Sequence, residues 1–204
     1  MTTAASHAAE SHAARAHTAP GDIVSERAHR LTINRIGLWL FLLSDMSFFA
    51  AVISSRYFIS GVRTPEEVNQ VLGLALASVL VFSSFTAYRA EMAAAHGDQP
   101  GLRRFMVATI VLGVVFLAGV GYEWHEAYAH FPPSSEFGTV LFTLTGIHAT
   151  HVLSGMVILA LVLKSARGRS YGPGDYWPVE GAVKYWHLVD VAWVFIYPTL
   201  YLVR

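Results

Sequence analysis

The sequence predicts an all-α integral membrane protein, a five-transmembrane-helix bundle with a cytoplasmic amino terminus, formed by residues 31–204 behind an amino-terminal tail of residues 1–30. Three observations predict it. Of 204 residues, 54% are hydrophobic and the mean hydropathy is +0.45, too apolar for a soluble domain of this size unless long runs lie in lipid. The chain offers five apolar runs, near the roughly 20 residues that a helix needs to cross a hydrocarbon core of about 30 Å. Lys and Arg also divide unevenly between the two sets of joints, 11 against 3, as expected when cytoplasmic segments retain positive charge.

Residues 1–30 are mostly Ala, His, Ser and Glu with a few Arg, lack the apolar stretch of a secretory signal, and read as a disordered tail. Its His7, His12, His17 and His29 are irregularly spaced and are assigned no metal. The five spans run from about Ile36 to Ile59, Val68 to Tyr88, Phe105 to Tyr122, Thr139 to Leu163 and Val183 to Val203. Before the second, Thr64-Pro65-Glu66-Glu67 has a capping Thr, a Pro suited to the first helical position and a Glu at capping-box spacing. The joint from His96 to Gly101, with Gly97 and Pro100, parts the second span from the third, while Pro132-Pro133-Ser134-Ser135 and Tyr171-Gly172-Pro173-Gly174 mark later loops. Gly73 and Ala77, four apart, allow close helix contact.

Orientation follows from the charges. Arg15, Arg27, Arg30, Arg35, Arg89, Arg103, Arg104, Lys164, Arg167, Arg169 and Lys184 share one side, and Arg56, Arg63 and Arg204 the other. The amino terminus is therefore expected inside and the carboxyl terminus outside. Lys plus Arg and Asp plus Glu are each 14, so no basic excess exists for nucleic acid, and the absence of cysteine excludes disulfides, thiolate metal sites, iron-sulfur clusters and thiol nucleophiles.

Ionisable groups inside apolar spans are costly, which singles out Asp45, Glu123, His148, His151, His187 and Asp190. Asp45 lies about 15 Å past Arg35 along a helix, and His148 about 14 Å from Thr139 at the opposite face, so the two share a depth near the middle of the bilayer. His148 and His151 lie three apart on one helix side, a spacing compatible with a metal; the plain reading is hydrogen bonding within a bundle, as no third ligand is spaced to join them. Trp186, Asp190, Trp193 and Tyr197 form one face of the last helix, with His187 beside Asp190. That face reads either as an interfacial aromatic anchor with a satisfied His-Asp pair or as a contact with another subunit or lipid headgroup, and Trp186, His187, Asp190 and Trp193 are expected to hold the last helix in place through packing and a buried hydrogen bond. Glu123 reaches the outer interface and reads as a solvated helix end beside Trp124 and His125 in preference to a proton-transfer group.

The segment Thr145-Gly146-Ile147-His148-Ala149-Thr150-His151-Val152 resembles the TGFHGLHV motif of haem-copper oxidase subunit III. Tyr185-Trp186-His187-Leu188-Val189-Asp190-Val191-Ala192-Trp193 resembles that family's YWHFVDVVW motif. Leu43-Ser44-Asp45-Met46-Ser47-Phe48-Phe49 looks like its first large motif, with Asp where cytochrome c oxidases usually have Glu and quinol oxidases often have Asp. Glu123-Trp124 matches its Glu-aromatic position and Glu136-Phe137-Gly138-Thr139 its Gly-containing helix entry. The resemblance covers Arg35 to Arg204 and is to the five-helix bacterial form, without the two extra amino-terminal helices of the mitochondrial one.

The resemblance implies an accessory, non-catalytic, cofactor-free subunit that packs against oxidase subunit I, beside subunit II, in the bacterial cytoplasmic membrane. Haem and copper would reside in those partner subunits, phospholipid would bind here, and the chain would support proton uptake and protect the catalytic centre. Asp45 is then a structural and lipid-contact residue in preference to a proton donor. Rival readings are a quinol oxidase subunit III, a nitric oxide reductase accessory protein, a membrane cytochrome using His148, and a small transporter, for which the sequence lacks internal repeats.

Overall fold

The computed structural model describes residues 20–61, 65 and 68–203, with side chains from residue 24 onward. The described residues are all-helical: α1 Pro20–Ile59, α2 Gln70–Ala95, α3 Gln99–His130, α4 Glu136–Gly168 and α5 Trp177–Tyr197, followed by a π-helical turn, Pro198–Leu202. The first four are long and apolar enough to cross a membrane. The chain divides into two units, residues 1–40 and 41–204. In the first, an exposed Glu26–Arg30 ion pair at 2.6 Å follows the helical four-residue spacing.

In the second unit α2, α3, α4 and α5 close a ring, each packed on the next in chain order and α5 back on α2. Short joints impose this order. Between α2 and α3 lie only residues 96–98, where Gly97 takes φ 77°, a left-handed turn that glycine adopts without a Cβ clash. Asp98 then caps α3 by accepting from the Gly101 amide at 3.0 Å. Ser135 caps α4 in the same way, accepting from the Gly138 amide at 3.0 Å. The start of α3 is tied to the α4–α5 joint by Gln99, whose Nε2 donates to the Tyr171 carbonyl at 2.5 Å while its Oε1 accepts from the Tyr171 amide at 3.2 Å. Arg103 donates to the Ala166 carbonyl at 2.7 Å, satisfying a carbonyl near the end of α4.

From Phe41 onward α1 meets the ring along a narrow stripe. Leu42 and Phe49, seven apart, are its buried residues, with half-buried Asp45 and Met46 between them; Arg56, also buried, donates to the Gly61 carbonyl. Leu43, Phe48 and Phe58 stay exposed, consistent with an apolar solvent around the helix.

The helices outrun the apolar runs that announced them. The helix α1 begins at Pro20, so residues 20 to 30 are helical where a tail was expected; His7, His12 and His17 lie outside the described residues. Likewise α3 continues to His130, eight residues beyond the expected end at Tyr122. Helical hydrogen bonding is a backbone property and does not require apolar side chains. Thr64, Glu66 and Glu67 also lie outside the described residues; the described α2 is capped by Asn69, which accepts from the Leu72 amide at 3.0 Å.

Candidate functional site

Three polar clusters carry most of the ionisable groups inside the helices; Arg56 on α1 and Glu180, paired with Lys184 on α5, are buried outside them. The first joins α1 to α4. His151 Nδ1 lies 2.8 Å from the Ile147 carbonyl and its Nε2 lies 3.2 Å from Asp45 Oδ1. A carbonyl only accepts, so Nδ1 carries hydrogen, and one further proton must sit between Nε2 and Oδ1 for that contact to be a hydrogen bond. The pair is then neutral as a whole with the proton on either atom, which limits the cost of holding it among apolar side chains.

Asp45 therefore meets His151, and not the His148 that its depth indicated. Depth fixes only the coordinate along the membrane normal, whereas three residues along α4 also turn a side chain by about 60°. His148 is fully buried among the rings of Phe49, Phe116 and Trp193, with centroids at 6.2, 5.6 and 4.9 Å. Neither of its ring nitrogens has a hydrogen-bond partner among the described residues. Phe49 spans the two histidines, its ring 4.8 Å from that of His151.

The second cluster joins α2 to α5. Trp186 is wholly buried and donates from Nε1 to Ser83 Oγ at 2.9 Å. Ser84 donates to Asp190 Oδ2 and lies 3.0 Å from His187 Nδ1, so a single hydroxyl accepts from the imidazole while donating to the carboxylate. His187 and Asp190 are thus linked through Ser84, not paired directly as expected. Trp193, 1% exposed, packs edge-on against Phe116, with centroids 4.9 Å apart and rings at 86°.

This face reads from the sequence as structural or as a subunit or lipid contact. Trp186 and Trp193 are turned into the chain's own ring. Space for the indole comes from glycines: a Cβ on Gly113 would stand 2.9 Å from Trp186 Cη2, and one on Gly155 3.0 Å from Cε3. Tyr197 is half-buried and stacks on Tyr201, with centroids at 5.3 Å. Gly73 has a related role, since a Cβ there would lie 2.8 Å from the Tyr201 ring.

The third cluster overturns the solvated reading of Glu123. Its side chain is buried, with residue exposure of 6%, because α3 continues past it and Tyr201 covers it, donating to Oε1. Glu123 borders a cleft of about 440 Å³ with Asn69, Glu126, His130 and Phe131. Ser83, Ser84, Phe49 and Tyr201 were not singled out in the sequence. The adjacent serines inside an apolar span and the Tyr-rich carboxyl end were their only available signals.

Comparison with known proteins agrees with this arrangement of motifs. The family model described as cytochrome c oxidase subunit III matches residues 21–203. A probable cytochrome c oxidase subunit 3 of Nocardia farcinica is 32% identical, over 91% of this chain and 97% of the relative. Cytochrome c oxidase subunit 3 of Corynebacterium diphtheriae is also 32% identical, over 83% and 87%, and that of Synechocystis is 29% identical, over 90% and 81%. On this evidence the chain, a multi-pass membrane protein with buried polar clusters in its helix ring, belongs to the cytochrome c oxidase subunit III family.

Proposed function

We propose that this chain is the accessory, non-redox subunit of an aerobic haem-copper cytochrome c oxidase, which reduces oxygen to water with proton pumping. The carrying observation is the family match along residues 21–203. In this reading α5 is the fifth span, the amino terminus is cytoplasmic, and the bilayer is the bacterial cytoplasmic membrane. The chain packs chiefly on subunit I, beside subunit II, and binds phospholipid. Haem and copper belong to those partners, and this subunit stabilises the catalytic one and supports proton uptake.

Two features support the reading. Twelve of the 21 residues of α5 are buried, so its Glu180, Asp190 and His187 are accommodated by protein contacts within a span. His148, the residue on which the membrane-cytochrome reading rested, is buried and packs among the rings of Phe49, Phe116 and Trp193, as a structural core histidine does.

Purification by a tag on this chain tests the proposal. The catalytic subunit, its haem and its copper should co-purify, while the separated chain should carry neither metal in stoichiometric amount. Recovery without an oxidase, or with iron bound to the separated chain, would overturn it.

A further inference from the structure

Two adjoining concavities lie at the carboxyl-terminal end of α3, apart from the α1–α4 and α2–α5 clusters. The expected apolar run ends at Tyr122, and Glu126 and His130 lie about 6 and 12 Å further along the helix. This end of α3 therefore rises out of the apolar layer to a level that a water-soluble polypeptide segment can reach. The first concavity is the cleft of about 440 Å³, with Glu123 in its floor and half-buried Glu126 at its rim. The second, a groove of about 750 Å³, shares His125 and Ala129 with the cleft. Among the described residues neither lining holds a Lys or an Arg.

The two walls differ in chemistry. In the cleft, Glu123 and Glu126 are three apart on one face of α3, so two carboxylates share it. Tyr201 donates to Glu123 Oε1, but Oε2 is buried without a partner among the described residues. Glu126 accepts from the Tyr122 hydroxyl at 2.8 Å and has acceptor capacity to spare. A cation at the rim, over both carboxylates, would relieve their repulsion. The groove wall is aromatic and already fixed in place. Trp124 Nε1 donates to Thr145 Oγ1 at 2.9 Å, and Phe142 stands edge-on to Trp124 and to Tyr128, with centroids at 5.7 and 6.3 Å. Tyr128 itself is 64% exposed. A carboxylate pair next to a fixed aromatic wall suits arginine above other cations: its planar guanidinium forks onto a carboxylate and lies on ring faces, while its stem covers apolar surface. Tyr and Trp in a concave surface are also what protein interfaces concentrate.

We propose that this end of α3 docks an extramembrane segment of a neighbouring protein through an arginine, with the guanidinium at Glu126 above Glu123 and the flanking residues of the segment against Trp124, Tyr128 and Phe142. The proposal deepens the reading of the chain as one subunit of a larger complex and rests on it. A metal ion or a small amine would use the carboxylates and leave the aromatic wall bare, whereas a neutral or acidic segment would leave the carboxylates unopposed.

The test is photo-cross-linking in the purified complex, with the full-length tagged chain carrying p-benzoylphenylalanine in place of Tyr128 and the joined peptides identified by mass spectrometry. The expected product joins this position to a peptide of another protein of the complex, within a few residues of an arginine. Glu126→Gln, which keeps an acceptor for Tyr122, should lower the yield at least about fivefold, the scale of one charge-assisted hydrogen bond in a partly exposed site, and Glu126→Lys should remove it. Replacing the identified arginine by glutamate should lower the yield in the parent and restore it beside Glu126→Lys. Recovery of the catalytic subunit by the same tag is scored separately. If none is recovered, the oxidase reading fails, while a cross-link to an arginine-bearing partner still supports this contact. A cross-link confined to this chain or to lipid, a partner peptide with no arginine in reach, or an unchanged yield in Glu126→Gln would overturn the proposal.

Discussion

Alanine at Gly155 is expected to destabilise the helix ring, although alanine ordinarily favours a helix over glycine by about 1 kcal/mol. The new Cβ would lie 3.0 Å from Trp186 Cε3, 3.3 Å from Cζ3 and 3.4 Å from Tyr185 Cε1. Ordinary carbon contacts are about 3.5 to 4.0 Å, so the indole must shift by roughly half an ångström. It has little freedom to do so. Its Nε1 is bonded to Ser83 at 2.9 Å, and its Cη2 already approaches the Cα of Gly113 closely enough that a Cβ there would stand at 2.9 Å.

Overpacking of this kind costs about 1 to 3 kcal/mol. Gly121→Ala is the matched control, because a Cβ there meets nothing within 4 Å and α3 keeps the propensity gain. The two variants should therefore differ by about 1 to 3 kcal/mol in reversible unfolding from detergent to denaturing mixed micelles, with the helix term cancelling. In a Trp186→Phe background the Gly155→Ala cost should shrink, giving a coupling of at least about 0.5 kcal/mol. Equal stabilities for Gly155→Ala and Gly121→Ala, or strictly additive double mutants, would refute the packing argument.

Ser84→Ala should cost about 1 to 3 kcal/mol in the same unfolding assay by stranding Asp190 and His187; Ser78→Ala, whose hydroxyl bonds the Leu74 carbonyl of its own helix at 2.8 Å, should stay within about 0.5 kcal/mol of the parent. Tyr201→Phe should cost a similar 1 to roughly 3 kcal/mol by removing the donor to Glu123, and Tyr201→Phe with Glu123→Leu should recover part of it; no recovery would mean that the loss lies in packing. Asp45→Asn should preserve assembly, since an amide N–H can donate to His151 Nε2 while Nδ1–H still donates to Ile147, whereas Asp45→Leu should weaken retention of α1 against the ring. A reporter fused at Gly97 should register on the cytoplasmic side, and an external signal would reject the proposed orientation.

The spans were legible because a lipid environment leaves few ways to satisfy the backbone, so apolar runs of helical length carry most of the architecture. Their ends were not, since residues such as Glu123, Glu126 and His130 continue α3 with polar side chains. Depth arithmetic brought Asp45 to the correct turn of α4 but could not choose between His148 and His151, because rotation about α4 is invisible until its neighbours are known. The same ignorance left open whether Trp186 and Trp193 pack within the chain or against a partner. Gly113 and Gly155, on two other helices, make room for Trp186, and no single-helix pattern links them. Ser84 was overlooked because a serine in an apolar span usually returns its hydroxyl to its own helix, as Ser78 does to Leu74 and Ser54 to Ala50.

The narrow seam between α1 and the ring bears on the order in which the chain acquires its structure. The circuit from α2 through α5 closes on itself, so its packing does not wait for α1, even though α1 is made first. Docking of the Phe41-to-Ile59 part would then be a separate late event, completed when Phe49 enters beside the two histidines and Asp45 comes within hydrogen-bond distance of His151. The reverse step would be the least costly large opening of this unit, and amides of this part of α1 should exchange before those of α2 to α5. A membrane quality-control protease would accordingly find its first foothold there.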